Sequence, residues 1–252
     1  MKPLVLTAAV VSLGLASHAF ASELTLIAPG GIRTSLEALV PAFEEKTGVK
    51  VTMSFGSGGG TKDQVVSGAP IDVPVVEPPL DGVIASGHVA ARSATLLASA
   101  AVGIALAPGK PRPRLTTRED LRFLMLRASG ISVPDAARGA GAGQSFAATL
   151  DILGLAERVG PLLRIAPNGA EAMAMLAQGK VDVGATFVSE MIGVPGIEIV
   201  GALPAEFSPR VRFIAFVSTT AHDPAAAQAL VTYLSAAAAA PIYTARGMEP
   251  GH

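Results

Sequence analysis

Glu23–Val65, ELTLIAPGGIRTSLEALVPAFEEKTGVKVTMSFGSGGGTKDQV, reads as strand, glycine turn, helix, strand, glycine turn and helix. ELTLIAPG is a run of strand formers that stops at Pro29-Gly30. In TSLEALVPAFEEKTG the apolar residues Leu36, Leu39, Val40 and Phe43 recur at helical spacing, and Gly48 supplies a stop. VKVTMSFG is a second strand, and TKDQVVSGA a shorter second helix. Between them lies GSGGG, a loop almost bare of side chains, which costs backbone entropy to order. Such a loop is explained when something must come close to it.

The alternation continues. IDVPVVE is a third strand, and its Pro74 points to an edge or irregular position. AAVGIALAPG is a strand that leads into a connector rich in proline and arginine. GISVPD, AARGAGAG and QSFAATLDILG repeat the strand, glycine loop and helix order. The helix GAEAMAMLAQGK, the strand VDVGATFVS, the return strand VRFIAFVST and alanine-rich helices close the chain. This order predicts an α/β protein with parallel sheets covered on both faces. Sheets of this kind bind ligands beyond the carboxyl ends of their strands, so two sets of glycine loops predict two lobes around one cleft.

Composition excludes several classes. The 252 residues carry a net charge of -1, with no basic field suited to nucleic acid. There is no cysteine, and the four histidines, His18, His88, His222 and His252, are scattered. Thiolate chemistry, a metal centre and a histidine-based triad are therefore not expected, and no cofactor is. The first 21 residues combine Lys2, an apolar run from Leu4 to about Leu15, and Ala19-Phe20-Ala21, the pattern of a signal peptide cleaved after Ala21. The mature chain would start at Ser22 with 18 basic and 20 acidic residues.

GSGGGTK lacks the spacing of a phosphate-binding loop, since Lys62 follows Thr61, and the first strand offers only PGGIR where a dinucleotide fingerprint would stand. More general physics survives: amides at a helix N-terminus, helped by the helix dipole, attract anions. Three places qualify, namely Pro29–Ser35, Ser57–Thr61 and Arg138–Ser145. Each alone reads rather as a capped turn; together they point to a shared anionic ligand.

The passage Glu23–Val75, with FEEKTGVKV, the SFGS turn and GAPIDV in order, resembles the periplasmic molybdate-binding proteins, solute receptors of ABC importers. The likeness runs on through LASAAVGIALAPG, AMAMLAQGKVDVGATFVSEM and YTARGMEP, nearly the whole mature chain. It implies a two-lobed periplasmic binding protein of type II, a membrane permease as partner, and a monomer that holds a small anion without transforming it. Each lobe would be a mostly parallel sheet flanked by helices, joined by two crossover strands acting as a hinge. Residues 22–100 and 217–252 would form lobe one, and 101–216 lobe two.

The resemblance also locates departures. The family's first-loop serine falls on Gly31, its second-loop serine on Gly58 beside Ser57, its tyrosine on Phe187, and a small residue after the third strand on Glu77. Hydroxyl donors are lost, and an acid is gained. Arg33 and Arg138 stand beside the first and third loops, and arginine forks match carboxylates bidentately. The expected site is therefore Gly30, Gly31, Arg33, Ser57, Gly58, Gly59, Thr61, Glu77, Arg138, Gly141, Ser145 and Phe187. It suits a di- or tricarboxylate resembling aconitate better than molybdate or tungstate, the alternative ligands. An exported hydrolase is the other alternative, with Glu77 and Asp72 or Ser145 and Asp135 as its pairs. A sensor partner with the same fold stays open.

Overall fold

The computed structural model describes residues 22–251, so the expected signal peptide lies outside the described residues. Strand β1 (Glu23–Pro29) runs through a single turn at Gly30–Ile32 into helix α1 (Arg33–Thr47). Leu36, Leu39, Val40 and Phe43 form the buried face of α1, and Gly48 ends it at a φ of 75°. Strand β2 (Lys50–Gly56) then pairs parallel to β1 in register along its whole length. Helix α2 (Gly58–Val66) starts three residues earlier than TKDQVVSGA suggests, because the glycines themselves form its first turn. Ser57 makes this possible: its side chain accepts the Gly60 N–H at 3.1 Å and caps the helix.

Strand β3 (Val73–Val76) is buried along its length and lies between β1 and the return strand β10 (Val211–Ala215). The edge position expected from Pro74 is therefore corrected. The ladder to β10 covers only Val75 and Val76, while the Pro74 carbonyl accepts the Phe216 N–H at 2.9 Å. The missing proline donor falls where that ladder ends.

After α3 (Asp81–Ala85), strand β4 (Thr95–Ala100) continues the first sheet and β5 (Val102–Leu106) opens the second, with only Ala101 between them. Helix α4 (Arg118–Arg127) leads to β6 (Ile131–Pro134), α5 (Gly141–Leu153), α6 (Ala156–Val159), β7 (Leu163–Ala166) and α7 (Gly169–Ala177). Strand β8 (Val183–Phe187), the short α8 (Val188–Met191) and β9 (Glu198–Ala202) complete the second sheet. Helices α9 (Pro224–Leu234) and α10 (Ala240–Ala245) follow β10, and β11 (Met248–Pro250) pairs with β4.

The sheet orders are β11-β4-β10-β3-β1-β2 and β7-β6-β8-β5-β9. Both sheets are mixed, which corrects the mostly parallel expectation. Only β2-β1-β3 and β7-β6-β8 are parallel sets; β4, β10 and β11 in one sheet, and β5 and β9 in the other, pair antiparallel. The parallel strands are those joined through helices, while the strands that carry the chain between sheets need no helical crossover. Because β10 belongs to the first sheet, the second crossing lies in residues 203–210, ahead of the boundary expected at 216. Large side chains buried on both faces, such as Phe43, Phe146, Phe213 and Tyr243, hold the layers together. Each contributes roughly 1.5–3 kcal/mol relative to exposure.

Candidate functional site

All six strands of the two parallel sets end at one place. Gly30 and Gly31 follow β1, Ser57 and Gly58 follow β2, and Glu77 follows β3. From the other lobe come Gly141 after β6, Asn168 and Gly169 after β7, and Phe187 and Glu190 at the end of β8. Together they enclose a pocket of about 20 Å³, room for about one water. It communicates with a mouth of about 250 Å³ that shares Gly30, Gly56, Asn168 and Glu190 and adds Arg33, Phe55 and Ser189. Among the described residues, no arginine, lysine or histidine lines the inner pocket.

Two acids face each other here. Glu77 is 2% exposed, and its Oε2 accepts the Gly141 N–H at 3.1 Å. Burial, followed by the charge of Glu190, pushes its carboxyl up to about 8 against the opposing pull of Lys62 and the Gly141 N–H. Burial also raises Glu190, although its Oε2 accepts the Thr186 hydroxyl at 2.5 Å. An edge of Glu190 stays open to the mouth.

The glycines now have a steric reason. A Cβ on Gly58 or Gly141 would lie 2.0 or 2.3 Å from Glu77 Oε2. A Cβ on Gly169 would lie 2.0 Å from Glu190 Oε2, and one on Gly30 would lie 2.9 Å from Glu190 Oε1. At Gly31 the obstacle is aromatic, with Phe187 at 2.5 Å and Phe213 at 2.8 Å. Phe187 lines the pocket on that side and meets Phe213 edge-on, with the ring centroids 5.6 Å apart.

The lobes also touch directly. A Cβ on Gly59 would lie 2.0 Å from the Arg138 carbonyl oxygen, and Ser189 donates its hydroxyl to the Gly31 carbonyl at 2.6 Å. Gly59 thus serves the contact between lobes and does not line the pocket.

Of the residues expected from sequence, Gly30, Gly31, Ser57, Gly58, Glu77, Gly141 and Phe187 line the inner pocket, and Arg33 lines the mouth. Arg33 lies 4.8 Å over the Phe55 ring and 3.3 Å from Glu37. Thr61 is buried within α2 and donates to the Ser57 carbonyl. Arg138 is exposed, donates its amide to Asp135 Oδ1, and lines neither pocket nor mouth. Ser145 points at the returning segment: its hydroxyl donates to the Pro209 carbonyl, so Ser208 is the donor in their 3.0 Å contact.

The pairs weighed for hydrolysis are not assembled. Asp72 binds Thr25 and the His222 amide at the opposite end of β3 from Glu77, five residues or roughly 16 Å away. Asp135 caps amides of its own loop, whereas Ser145 bonds Ser208 and Pro209. Glu190, Asn168, Thr186 and Ser189 were absent from the expected set. VSEM following a strand was the available signal, since an acid at a strand end beside the cleft mirrors Glu77.

Comparison with known proteins accords with this geometry. The chain is 27% identical over 235 residues to an aconitate isomerase of Pseudomonas sp., covering 91% of this chain and 88% of the relative. It is 23% identical to the molybdate-binding protein of Escherichia coli, over 95% of this chain and 94% of that one. The periplasmic molybdate-binding protein of Azotobacter vinelandii shares the fold with a TM-score of 0.74 at 21% identity, over 89% of this chain and 98% of that one. Residues 24–249 match the sequence pattern of the bacterial extracellular solute-binding proteins, and the chain belongs to that family.

Proposed function

We propose that the protein is the periplasmic solute receptor of an ABC importer and that its ligand is a small organic polyacid, a di- or tricarboxylate. The observation that carries this reading is the pocket itself, closed between two lobes and built from helix N-termini of both. With the lobes parted enough to admit it, one acidic group would sit at the inner amides while a second reaches the mouth, where Arg33 stands. Phe187 brings no hydroxyl and Glu77 adds an acid, which suits molybdate or tungstate less well. A thermal-shift screen of the mature protein against cis- and trans-aconitate, citrate, molybdate and tungstate tests it. A ligand at a hundredfold its Kd adds about 2.7 kcal/mol of stability. Stabilisation by the oxyanions alone would reject the polyacid.

A second reading is favoured by two raised carboxyls in one pocket together with the relative named aconitate isomerase. An acid and a base on one unsaturated acid can shift a proton and its double bond. Incubation with cis-aconitate followed by chromatography would detect the trans isomer. Stoichiometric binding without conversion would leave the receptor alone.

A further inference from the structure

Among the described residues, the inner pocket holds two acids and no basic side chain, yet helices α1, α2, α5 and α7 all begin around it. Each helix N-terminus is equivalent to roughly +0.5 charge. Four of them supply roughly +2, which two ionised glutamates would cancel completely. An anion entering that state would meet little attraction beyond the pull of Lys62, and two like charges in a space poor in water. With the glutamates protonated, the same backbone offers its full charge to the anion.

We propose that Glu77 and Glu190 set the specificity of this pocket by meeting the anion as carboxylic acids, each donating its O–H to a ligand oxygen, so that anion capture requires their protons. The inference rests on the receptor reading above. The hydrogen bonds already made assign the donors. Glu77 Oε2 is occupied by the Gly141 N–H, which leaves the proton for Oε1. Glu190 Oε2 is occupied by the Thr186 hydroxyl, which leaves the proton for Oε1, on the side of Gly30. Burial raises both carboxyls, Glu77 to about 8. The site thereby selects ligands rich in ionised oxygens.

The other charged groups on the surrounding elements are few. Lys62 on α2 pulls Glu77 toward ionisation without overcoming burial. Arg33 on α1 is paired with Glu37, and Glu171 lies in the first turn of α7. Asp135 and Arg138 lie in the loop before α5, where Asp135 accepts amides of its own loop.

Calorimetry with trans-aconitate and with molybdate, from about pH 7 to about pH 10 in buffers of different ionisation heat, tests the proposal. Neither probe titrates over that range. The expected result is a Kd nearly constant around pH 7 that rises about tenfold per pH unit, or more, above Glu77's value of about 8. About one proton or more should be taken up per probe bound at the alkaline end. Glu77→Gln removes the titrating group, so whatever its affinity at neutral pH, its share of the pH dependence above about 8 should vanish. Should that variant misfold, proton uptake by the unmodified protein still decides. Binding indifferent to pH, without proton uptake, overturns this inference and leaves the receptor reading intact. Failure of both probes to bind at any pH overturns both.

Discussion

Glu77 at the end of β3 caps helix α5 of the opposite lobe, its Oε2 accepting the Gly141 N–H at 3.1 Å where Ala140 offers no side-chain oxygen. A helix end needs such an acceptor, and a missing cap costs ~1 kcal/mol. The group that closes the cleft is thus one that a ligand must meet. Gly141→Ala would place a Cβ 2.3 Å from that oxygen and push the carboxyl aside. The expected result is a Kd weaker by roughly tenfold, ~1.4 kcal/mol, with thermal stability lowered by only a few degrees. Calorimetry with scanning fluorimetry reads both, and an unchanged Kd would assign Glu77 to closure alone.

Glu77 also gives the empty protein a pH signature. Its carboxyl is raised from 4.5 to about 8, so between those values the folded chain holds a proton that the unfolded chain has released. Stability is fully present below the unfolded value and falls as pH rises through the folded one. Asp72 and Asp182 act oppositely: amide hydrogen bonds outweigh partial burial and hold them below 3.8. Their contribution is lost as pH falls through that range. The unfolding temperature should therefore peak on the acid side, near pH 5, and decline toward pH 8. Glu77→Gln should flatten that decline, and parallel profiles for the two proteins would contradict the assignment.

Gly59 meets the Arg138 carbonyl so closely that a Cβ there would lie 2.0 Å from backbone oxygen. Both obstacles are backbone atoms, so relieving the clash requires the two loops to move apart. Gly59→Ala should leave each lobe folded and hold the lobes further apart, using the crossings at Ala101 and residues 203–210 as hinges. Small-angle scattering should show a larger radius of gyration than the unmodified protein with ligand. Equal dimensions would mean that the loops slide past each other without opening.

The fold was legible wherever one period dominated. Leu36, Leu39, Val40 and Phe43 announced α1, and the glycine loops announced the strand ends that meet at the pocket. Glu77 was legible as a departure from a resembling family. Glu190 was hidden, because one acid in VSEM looks like any solvated helix residue until β8 is known to end at the cleft. The parallel character was overstated for a similar reason: local patterns mark strands, but long-range pairing decides the direction of β4, β10 and β11. Arg138 looked like a ligand group from its place in a glycine loop, yet that loop gives its carbonyl, and not its guanidinium, to the other lobe.

The two arginines consequently separate. Arg33 borders the mouth shared with Glu190, held over Phe55 by cation–π attraction and beside Glu37. Its side chain is 51% exposed, so a ligand carboxylate there would be partly screened by water. A contact of that kind is worth up to ~1 kcal/mol, or about a fivefold change in Kd. Arg33→Ala should weaken a tricarboxylate by about that factor and leave a monovalent anion such as acetate unaffected, because only the longer ligand reaches the mouth. Arg138→Ala should change neither, since the backbone carbonyl that meets Gly59 is kept. Calorimetry with both ligands on both variants distinguishes the roles. A loss confined to Arg138→Ala would place the second carboxylate on the side of α5 and remove Arg33 from the site.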